Sequence, residues 1–397
     1  MTEAPLLFNP FEPGFTDDPY PAYHLLRQTD PVHEHPFGFW LLTAYDDVAA
    51  FLRARLSVDD RLLAPGPVRD QREQFRRDRR SMLDRDPPDH TRLRSLVSKV
   101  FTPRQVAALE PEITHIVDSA LDDIADAGSV DLISALAFPL PFTVISRMLG
   151  MPPADHALIR ELSGLLVRTL EPIGDPQLFE EIGKASERMD TLIGEVIAHK
   201  RANPADDLLS SLIAVEHQGD RLTDDELAAQ VVLLYVAGHE TTVNLIAGGV
   251  LALLRHPEQL ALLRTRPDLS GNAVEEFLRY DSPVQQTRRI TTEPYTVRDQ
   301  VIPANTFVVA SLASANRDER FWGPDADRLR LDRENAREHV SFGGGRHHCL
   351  GAALARLEAR VAIERLVRRF PGLALDGEVE WNGRINLRGP ARLPVAV

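Results

Sequence analysis

The chain has 397 residues and a formal net charge of −14, which argues against a general nucleic-acid-binding protein because such proteins present a basic surface. Its hydrophobic fraction of 43% and charged fraction of 26% are typical of a folded globular protein. The single cysteine, Cys349, excludes an internal disulfide and a cysteine-only metal cage, since both need several thiols. The N-terminus lacks the basic and apolar segments of a secretory signal, so we expect a cytoplasmic protein.

Helical periodicity dominates the sequence after a short proline-rich start. Residues 1–9 are expected to be flexible, and apolar alternation between Val32 and Leu42 predicts a hairpin. The charged segment 61–85 predicts either a solvated loop or a lid over a site. Proline and glycine residues then divide the sequence into predicted helices near residues 89–101, 103–127, 140–150, 154–170, 176–202 and 206–217.

The longest predicted helix spans Leu222 to His256. A capping-box pattern at Thr223 to Glu226 opens it, and no helix breaker follows before Pro257. At 1.5 Å per residue it would be about 50 Å long. Its middle is apolar on most sides, which is typical of a helix buried in a large core. The longest uninterrupted apolar run is far shorter than the ~20 residues that span a bilayer, so we expect no membrane anchor.

The remaining elements are shorter. Helices are predicted near residues 257–265 and 269–281, and period-two alternation over residues 295–310 predicts two short strands. A final helix near 350–370 and short strands near 379–395 complete the chain. Because no Gly/Ser-rich linker and no internal repeat divides the sequence, we predict one mostly α-helical domain with small β-sheets over residues 1–397.

The segment FGGGRHHCLG surrounds the only cysteine. Its glycines allow backbone conformations and close approaches that other residues cannot make. Cys349 precedes the final predicted helix, whose N-terminus stabilises a thiolate. A thiolate so placed is a nucleophile or a metal ligand, and the alternative is an inert, buried structural cysteine.

This segment resembles the haem-binding loop of the soluble bacterial cytochromes P450, whose pattern is Phe-Gly-x-Gly-x-(His/Arg)-x-Cys-x-Gly. The resemblance covers about residues 10–397. It implies the cytochrome P450 fold, with haem b held between the long central helix and the cysteine loop and final helix, and Cys349 as the thiolate ligand of the iron. The fixed positions of the pattern are met by Phe342, Gly343, Gly345, His347, Cys349 and Gly351.

The central predicted helix carries the sequence AGHETT at residues 237–242. One interpretation is structural: the threonine hydroxyls bond to carbonyls one turn earlier, and Glu240 is paired elsewhere. The resemblance implies an oxygen-activation groove instead. In that interpretation Gly238 leaves room beside the iron, Thr241 holds a water molecule, and Glu240 relays protons to the distal oxygen.

Two further sets of residues gain meaning from the resemblance. Glu276 and Arg279 share one helical face, and the resemblance implies a buried structural triad completed by Arg328. The two haem propionates need cationic partners where they are partly buried. The resemblance assigns them to His90, Arg94, Arg289 and His347, with the adjacent Arg288 as an alternative to Arg289.

The substrate and the electron donor are also implied by the resemblance. A largely apolar cavity would take a lipophilic small molecule such as a macrolide, terpenoid, steroid or fatty acid. Residues 346–369 contain six arginines and two glutamates, and residues 90–104 contain four basic and no acidic residues. A basic patch there would attract an acidic ferredoxin, which receives electrons from its reductase. The cavity is expected to be lined by residues 61–85, Leu166 to Phe179, Leu234, Gly238, Val284 to Thr287 and Asn386 to Arg388.

The expected activity is that of a monooxygenase, which inserts one atom of O₂ into a C–H bond or double bond and releases the other as water. A peroxide-driven peroxygenase on the same fold is one alternative, against which the intact Glu240–Thr241 pair argues. A haem-binding sensor without turnover is a second. A cysteine hydrolase that uses Cys349 with His348 as base is a third.

Overall fold

The computed structural model describes residues 7–63, 80–152, 156–172, 175–215 and 221–397. Of the segment predicted to be flexible, residues 1–6 lie outside this description, and Phe8 is buried in a small apolar cluster. Most of the predicted lid, residues 64–79, also lies outside the described residues.

The helices follow the predicted periodicity through most of the chain. The predicted bounds 176–202 and 257–265 match two of them. The helices are α1 (Tyr20–Thr29), α2 (Tyr45–Arg53), α3 (Asp89–Val100), α4 (Pro103–Ala108), α5 (Glu110–Asp123), α6 (Pro139–Met148), α7 (His156–Leu166), α8 (Pro176–Ala202), α9 (Leu208–Ala214), α10 (Asp224–Arg255), α11 (Pro257–Thr265), α12 (Ser270–Tyr280), α13 (Leu312–Ala315), α14 (Glu319–Trp322) and α15 (Ala352–Arg369).

The prediction of one helix over residues 103–127 was wrong, because the chain breaks it at Leu109 into α4 and α5. Pro111 lies in the first turn of α5, where its missing N–H has no helical partner to lose. A continuous helix would place the proline ring against the carbonyl of Ala107 and lose one hydrogen bond. A short strand, Ser129–Asp131, follows α5.

Small β-sheets flank the helices. The predicted hairpin is present, with Val32 opposite Leu42, and it extends by a parallel pairing of Phe39 with Phe307 that the local pattern did not predict. The sheets have the strand orders β1-β2-β7-β4, β3-β11-β8, β9-β10 and β5-β6. The strands are β1 (Val32–His35), β2 (Phe39–Leu42), β3 (Ser129–Asp131), β4 (Gln286–Ile290), β5 (Tyr295–Val297), β6 (Gln300–Ile302), β7 (Phe307–Ser311), β8 (Ala374–Leu375), β9 (Glu380–Trp381), β10 (Pro390–Arg392) and β11 (Pro394–Ala396).

Helix α10 is the centre of the largest apolar core. The predicted capping box is present: the Glu226 N–H donates to Thr223 Oγ1, and the Thr223 N–H donates to Glu226 Oε2. Among the described residues, α10 is the one helix long and apolar enough to cross a membrane. Its packing against α6, α8, α12 and α15 accounts for this apolar character without a membrane.

A buried ion-pair network joins α12 to the segment that precedes the cysteine loop. Glu276 and Arg279 are both fully buried, and Arg279 Nε donates to Glu276 Oε2 over 2.7 Å. The other Arg279 donors bond to Glu276 Oε1 and to three backbone carbonyls. Buried charges are tolerated when they are paired and hydrogen-bonded in this way.

The third member of this network is Arg333, so the prediction of Arg328 was wrong. Arg333 Nε lies 3.3 Å from a Glu276 carboxylate oxygen and is nearly fully buried. Arg328 is exposed and contributes only its carbonyl, which accepts from Arg279 Nη2 over 2.9 Å. The segment between them is irregular, and no helical or strand period fixes which of its arginines points inward.

Candidate active site

A cavity of about 2340 Å³ separates α10 from the cysteine loop. Pockets for small molecules usually measure ~300–1,000 Å³, so this cavity has room for a large cofactor together with a substrate. Its lining from α10 includes Ala237, Gly238, Thr241 and Thr242, and its lining from the cysteine loop includes Phe342, Gly343, His347, Cys349 and Gly351.

Backbone geometry explains the glycines of the loop. Gly343 and Gly345 have φ values of +66° and +62°, a region that side chains rarely adopt. A Cβ on Gly345 would also lie 2.6 Å from the Leu52 carbonyl oxygen of α2. The loop closes through a 2.9 Å hydrogen bond from the Cys349 N–H to the Phe342 carbonyl. The loop therefore packs closely on α2 and presents the cysteine to the cavity.

The environment of the Cys349 thiol is mixed. Burial among protein atoms raises its pKa, whereas a hydrogen bond from the Gly351 N–H and the charges of Arg94 and Arg356 oppose this. The residue is nevertheless exposed toward the cavity, unlike an inert structural cysteine. The His348 ring bonds to the backbone of Cys349, which does not favour its use as a hydrolase base.

A second buried carboxylate supports the cysteine loop from α12. Burial opposes ionisation of Glu275, but hydrogen bonds from His339 (3.0 Å) and Arg356 (2.9 Å) outweigh it and lower its pKa to about 2. The Arg356 guanidinium in turn lies 4.5 Å from the ring centroid of Phe342. Glu275 therefore fixes the orientation of the aromatic ring that begins the loop, a role that the sequence did not reveal.

Positive and potentially positive side chains converge on one edge of the cavity. The rings of His90 and His347 lie 4.2 Å apart. Burial lowers the pKa of His347 to about 3, and the charges of Arg289, His90 and Arg346 contribute to the shift. Burial also lowers the pKa of Arg289 to about 10. Without an anionic partner at this edge, burial and the neighbouring positive charges thus disfavour the charged forms of these side chains.

This cationic edge has the chemistry of a carboxylate-binding site. Within the described part of the chain, both ring nitrogens of His90 and Nε2 of His347 are buried without a hydrogen-bond partner. Each imidazole can donate an N–H to a bound carboxylate, and the negative charge of the carboxylates would offset the repulsion among the arginines. Both Arg288 and Arg289 line the cavity, but Arg289 is the more buried, and its charge contributes to lowering the pKa values of His90 and His347. The residues present thus fit the two propionates of haem.

The side chains that line the cavity also fit a metal whose other ligands come from a porphyrin. Across the described ranges, no group of three or more His, Cys, Asp or Glu side chains is placed to hold a metal ion. From the cysteine loop, Cys349 contributes a thiol to the cavity lining. A single protein thiolate is the ligand set that haem iron needs on one face, because the porphyrin supplies four nitrogens.

On the opposite wall, the threonines of the AGHETT segment adopt the arrangement of the structural interpretation. Thr241 Oγ1 donates to the Ala237 carbonyl over 2.9 Å, and Thr242 Oγ1 donates to the Gly238 carbonyl over 3.4 Å. A hydroxyl oxygen that donates once can still accept, so Thr241 is able to receive a hydrogen bond from within the cavity. Gly238 lines this wall, and a Cβ there would meet Ile145 at ordinary van der Waals distance.

Glu240 is placed differently from Thr241. Among the described residues it does not line the cavity, and its Oε1 pairs with Arg384 Nη1. Its other oxygen lies 3.9 Å from Nε2 of the buried His239. The sequence did not predict this partner, because Arg384 lies far along the chain in the turn before β10.

The predicted substrate walls are largely present. Leu166, Phe179, Leu234, Val284 and Asn386 line the cavity. Arg388, which was expected to line it, does not do so among the described residues. It is buried instead, donates to Asp281 and lies 3.8 Å from the ring centroid of Trp381. Its guanidinium is used to hold the C-terminal segment against α12.

The predicted basic patch is smaller than the sequence count suggests. Arg356 is paired with Glu275, and Arg92 with Glu226. The count omitted α5, whose carboxylates offset much of the charge of α15. Three arginines of α15 pair with it: Arg360 with Glu110, Arg365 with Asp118 and Arg369 with Asp122.

Comparisons with known proteins agree with this geometry. The family model described as Cytochrome P450 matches residues 158–265 and 269–382. Vitamin D(3) 25-hydroxylase from Pseudonocardia autotrophica is 45% identical over 98% of this chain and 96% of its own. Cytochrome P450 monooxygenase PikC from Streptomyces venezuelae is 42% identical over 96% of this chain and 91% of its own.

A solved structure extends the comparison to the fold. The cytochrome P450 PksS of Bacillus subtilis superimposes with a TM-score of 0.90 at 35% identity, covering 98% of this chain and 99% of its own. The predicted family, fold class and haem b cofactor are thereby confirmed. The chain therefore belongs to the cytochrome P450 family and is a haem-dependent monooxygenase.

Proposed function

We propose that this enzyme oxidises a lipophilic small molecule, with Cys349 as the thiolate ligand of haem iron. One observation carries the proposal: the only cysteine faces a large cavity between the cationic edge and the groove of α10. When bound, haem supplies the oxygen chemistry. In the overall reaction, O₂, two electrons and two protons convert a C–H bond or double bond to the oxygenated product and one water molecule.

The chain's own residues hold the cofactor and prepare the site. His90, Arg94, Arg289 and His347 would bind the propionates. The Gly351 N–H would donate to the cysteine sulfur, and such hydrogen bonds tune a thiolate ligand. Phe342 and Gly343 shape the loop that presents this sulfur.

On the other side of the cofactor, Thr241 would accept a hydrogen bond from a water molecule in the cavity, and Glu240 would supply protons toward the cavity.

The apolar part of the cavity supports a lipophilic substrate. Ile145, Leu166, Leu234, Val284 and Leu387 all contribute to its wall. Burying apolar ligand surface against such side chains contributes ~25 cal/mol per Å². Vitamin D(3) 25-hydroxylase is named for a lipophilic substrate of the same general kind, and we propose a substrate of steroid or macrolide size.

The proposal is tested on purified protein supplied with haemin. We expect the reduced CO complex to show the long-wavelength Soret band of a thiolate-ligated haem. Vitamin D3, testosterone and myristic acid would serve as probes for a low- to high-spin shift of the iron. A protein that remains colourless with haemin would overturn the proposal.

Replacing Thr241 by Ala should divert electrons from product to hydrogen peroxide while haem stays bound. The fraction of electrons recovered in product should fall about fivefold, the effect of losing one hydrogen bond of about 1 kcal/mol. The measurement compares reductant consumed, peroxide released and product formed. Thr241→Ser retains the hydroxyl and should keep most of the coupling. Equal coupling in Thr241→Ala and the wild type would remove Thr241 from this role.

Replacing Arg289 by Leu should weaken haem binding by about tenfold or more, because a charge-assisted hydrogen bond to a propionate is lost. The rate of haem transfer to excess apomyoglobin measures this. Arg288→Leu is the matched control, since Arg288 is the neighbour of Arg289 in β4 and is less buried. A larger effect for Arg288→Leu would assign the propionate contact to that residue instead.

We propose that a separate ferredoxin and its reductase supply the electrons. Arginines of α15 are engaged in ion pairs, whereas Arg104 of the predicted patch is exposed at the start of α4. We therefore choose Arg104 for this test. Arg104→Glu should slow electron transfer from ferredoxin several-fold at low salt, with a smaller effect at high salt. Arg392→Glu, on an exposed strand, is the control. An unchanged rate and salt dependence would contradict docking at α4.

We further propose that the chain is a single domain over residues 1–397 and acts in the cytoplasm. The placement of α10 inside the core supports this. Its apolar residues are used in packing rather than in contact with lipid.

A further inference from the structure

The turn formed by residues 382–388 joins β9 to β10 and belongs to the cavity wall. Ile385, Asn386 and Leu387 line the cavity. A substrate that fills the cavity therefore contacts this turn directly.

A carboxylate clamps the turn from the substrate side. Glu171, which itself lines the cavity, accepts hydrogen bonds from three consecutive backbone amides of the turn. The Ile385 and Asn386 N–H groups each lie 2.9 Å from Glu171 Oε2, and the Leu387 N–H lies 2.8 Å from Oε1. Hydrogen bonds to an ionised acceptor are about twice as strong as neutral ones. Glu171 therefore fixes the position of residues 385–387.

The same turn also touches α10. The Asn244 side chain donates to the Leu387 carbonyl over 3.4 Å. Gly389, just beyond the turn, allows this approach, because a Cβ there would collide with the Asn244 side chain. On a third side, the Gln285 N–H donates to the Asn386 carbonyl over 2.8 Å. The turn is thus fixed between the cavity wall and the central helix.

Arg384 connects the turn to Glu240. The ion pair joins Arg384 Nη1 to Glu240 Oε1, and each side chain is 14% exposed. Glu240 and Asn244 are four residues apart and so share one face of α10. That face meets the turn, whereas Thr241 and Leu245 line the cavity. A shift of the turn is therefore transmitted to the carboxylate of Glu240.

We propose that the turn 382–388 links the substrate wall to the acid of α10, with Glu171 and Arg384 as positioning residues. Glu171 sets the turn and Arg384 sets the Glu240 carboxylate, so that proton delivery depends on how the substrate fits the wall. This inference rests on the monooxygenase function proposed above. It differs from that proposal in assigning roles to two residues outside the cysteine loop and the AGHETT segment.

The physical link is tested first, by hydrogen–deuterium exchange of the haem-loaded protein without substrate. Glu171→Gln should speed exchange of the Ile385, Asn386 and Leu387 amides about tenfold, because one charged acceptor is replaced by a neutral one. Arg384→Gln should also speed exchange in this turn, and Arg392→Gln, in the adjoining strand β10, should not. Protection equal to that of the wild type in both variants would overturn the link.

The functional role is tested by coupling, with vitamin D3, testosterone and myristic acid as probes. Arg384→Gln and Glu171→Gln should each lower the product formed per electron pair consumed, with the remainder released as hydrogen peroxide. The double variant should form as much product per electron pair as the more severely affected single variant, because both residues act through the Glu240 carboxylate. Arg384→Lys, which keeps the charge, should restore part of the coupling.

A solvent isotope effect separates positioning from a general loss of structure. In Arg384→Gln the deuterium effect on product formation should increase, since proton delivery becomes slower, while the reduced CO spectrum stays that of the wild type. An unchanged isotope effect and coupling in Arg384→Gln would overturn the inference alone. A wild-type protein without the thiolate-haem spectrum would instead overturn the proposed function.

Discussion

Cys349→Ala is expected to remove the long-wavelength Soret band of the reduced CO complex and to abolish monooxygenase activity. The chain has no second cysteine to replace the ligand. The thiolate donates electron density to iron, which a neutral ligand does less well. The optical spectrum of the reduced CO complex, recorded at equal haem content, measures the change.

The matched control is His348→Ala, one residue before the ligand. His348 lines the cavity and bonds to the backbone of Cys349, but it is not the proposed ligand of the iron. The His348→Ala variant should therefore retain the long-wavelength band. A long-wavelength band that persists in Cys349→Ala would refute the ligand assignment, whatever the activity of the variant.

Arg279→Ala should destabilise the fold by ~3–5 kcal/mol, since it leaves the buried Glu276 carboxylate without its closest partner. The free energy of unfolding, from urea denaturation of the haem-loaded protein, measures this. Arg330→Ala is the control: Arg330 is half-exposed and pairs with Asp325 in the same region, so the cost should stay within ~1 kcal/mol.

A second variant keeps this prediction testable if Arg279→Ala does not fold. Replacing both partners, as in Glu276→Leu with Arg279→Met, removes the unpaired charge and should recover much of the lost stability. If Arg279→Ala and Arg330→Ala lose equal free energy of unfolding, the buried network is not a principal source of stability.

Local sequence patterns predicted the helix bounds that depend on residues close together in the sequence. Helices α8 and α11 begin and end at their predicted residues because proline opens each of them and their apolar spacing is regular. The parallel pairing of β2 with β7 joins segments far apart in sequence, and neither strand carries a sign of its partner. The break at Leu109 was missed although Pro111 indicates it: inside one long helix this proline would lose a hydrogen bond, whereas in the first turn of α5 it loses none.

In the candidate site, too, contiguous residues were predicted and partners from remote segments were not. The cysteine loop is contiguous, so its residues could be found from one short pattern. Partners contributed by remote segments could not: Arg384 for Glu240, Arg333 for Glu276 and Glu275 for Arg356. The overestimated basic patch has the same origin, because a charge count along the chain omits pairs between neighbouring helices.

The contact between Gly345 and α2 has a consequence for biosynthesis. It joins the cysteine loop to a helix from the first sixth of the sequence, next to a sheet whose strand β2 pairs with β7. Such non-local contacts form late, since a long loop must close first. During translation, the N-terminal hairpin and α2 leave the ribosome long before either partner exists. A nascent chain therefore acquires a complete haem pocket only after nearly all of the polypeptide has been synthesised.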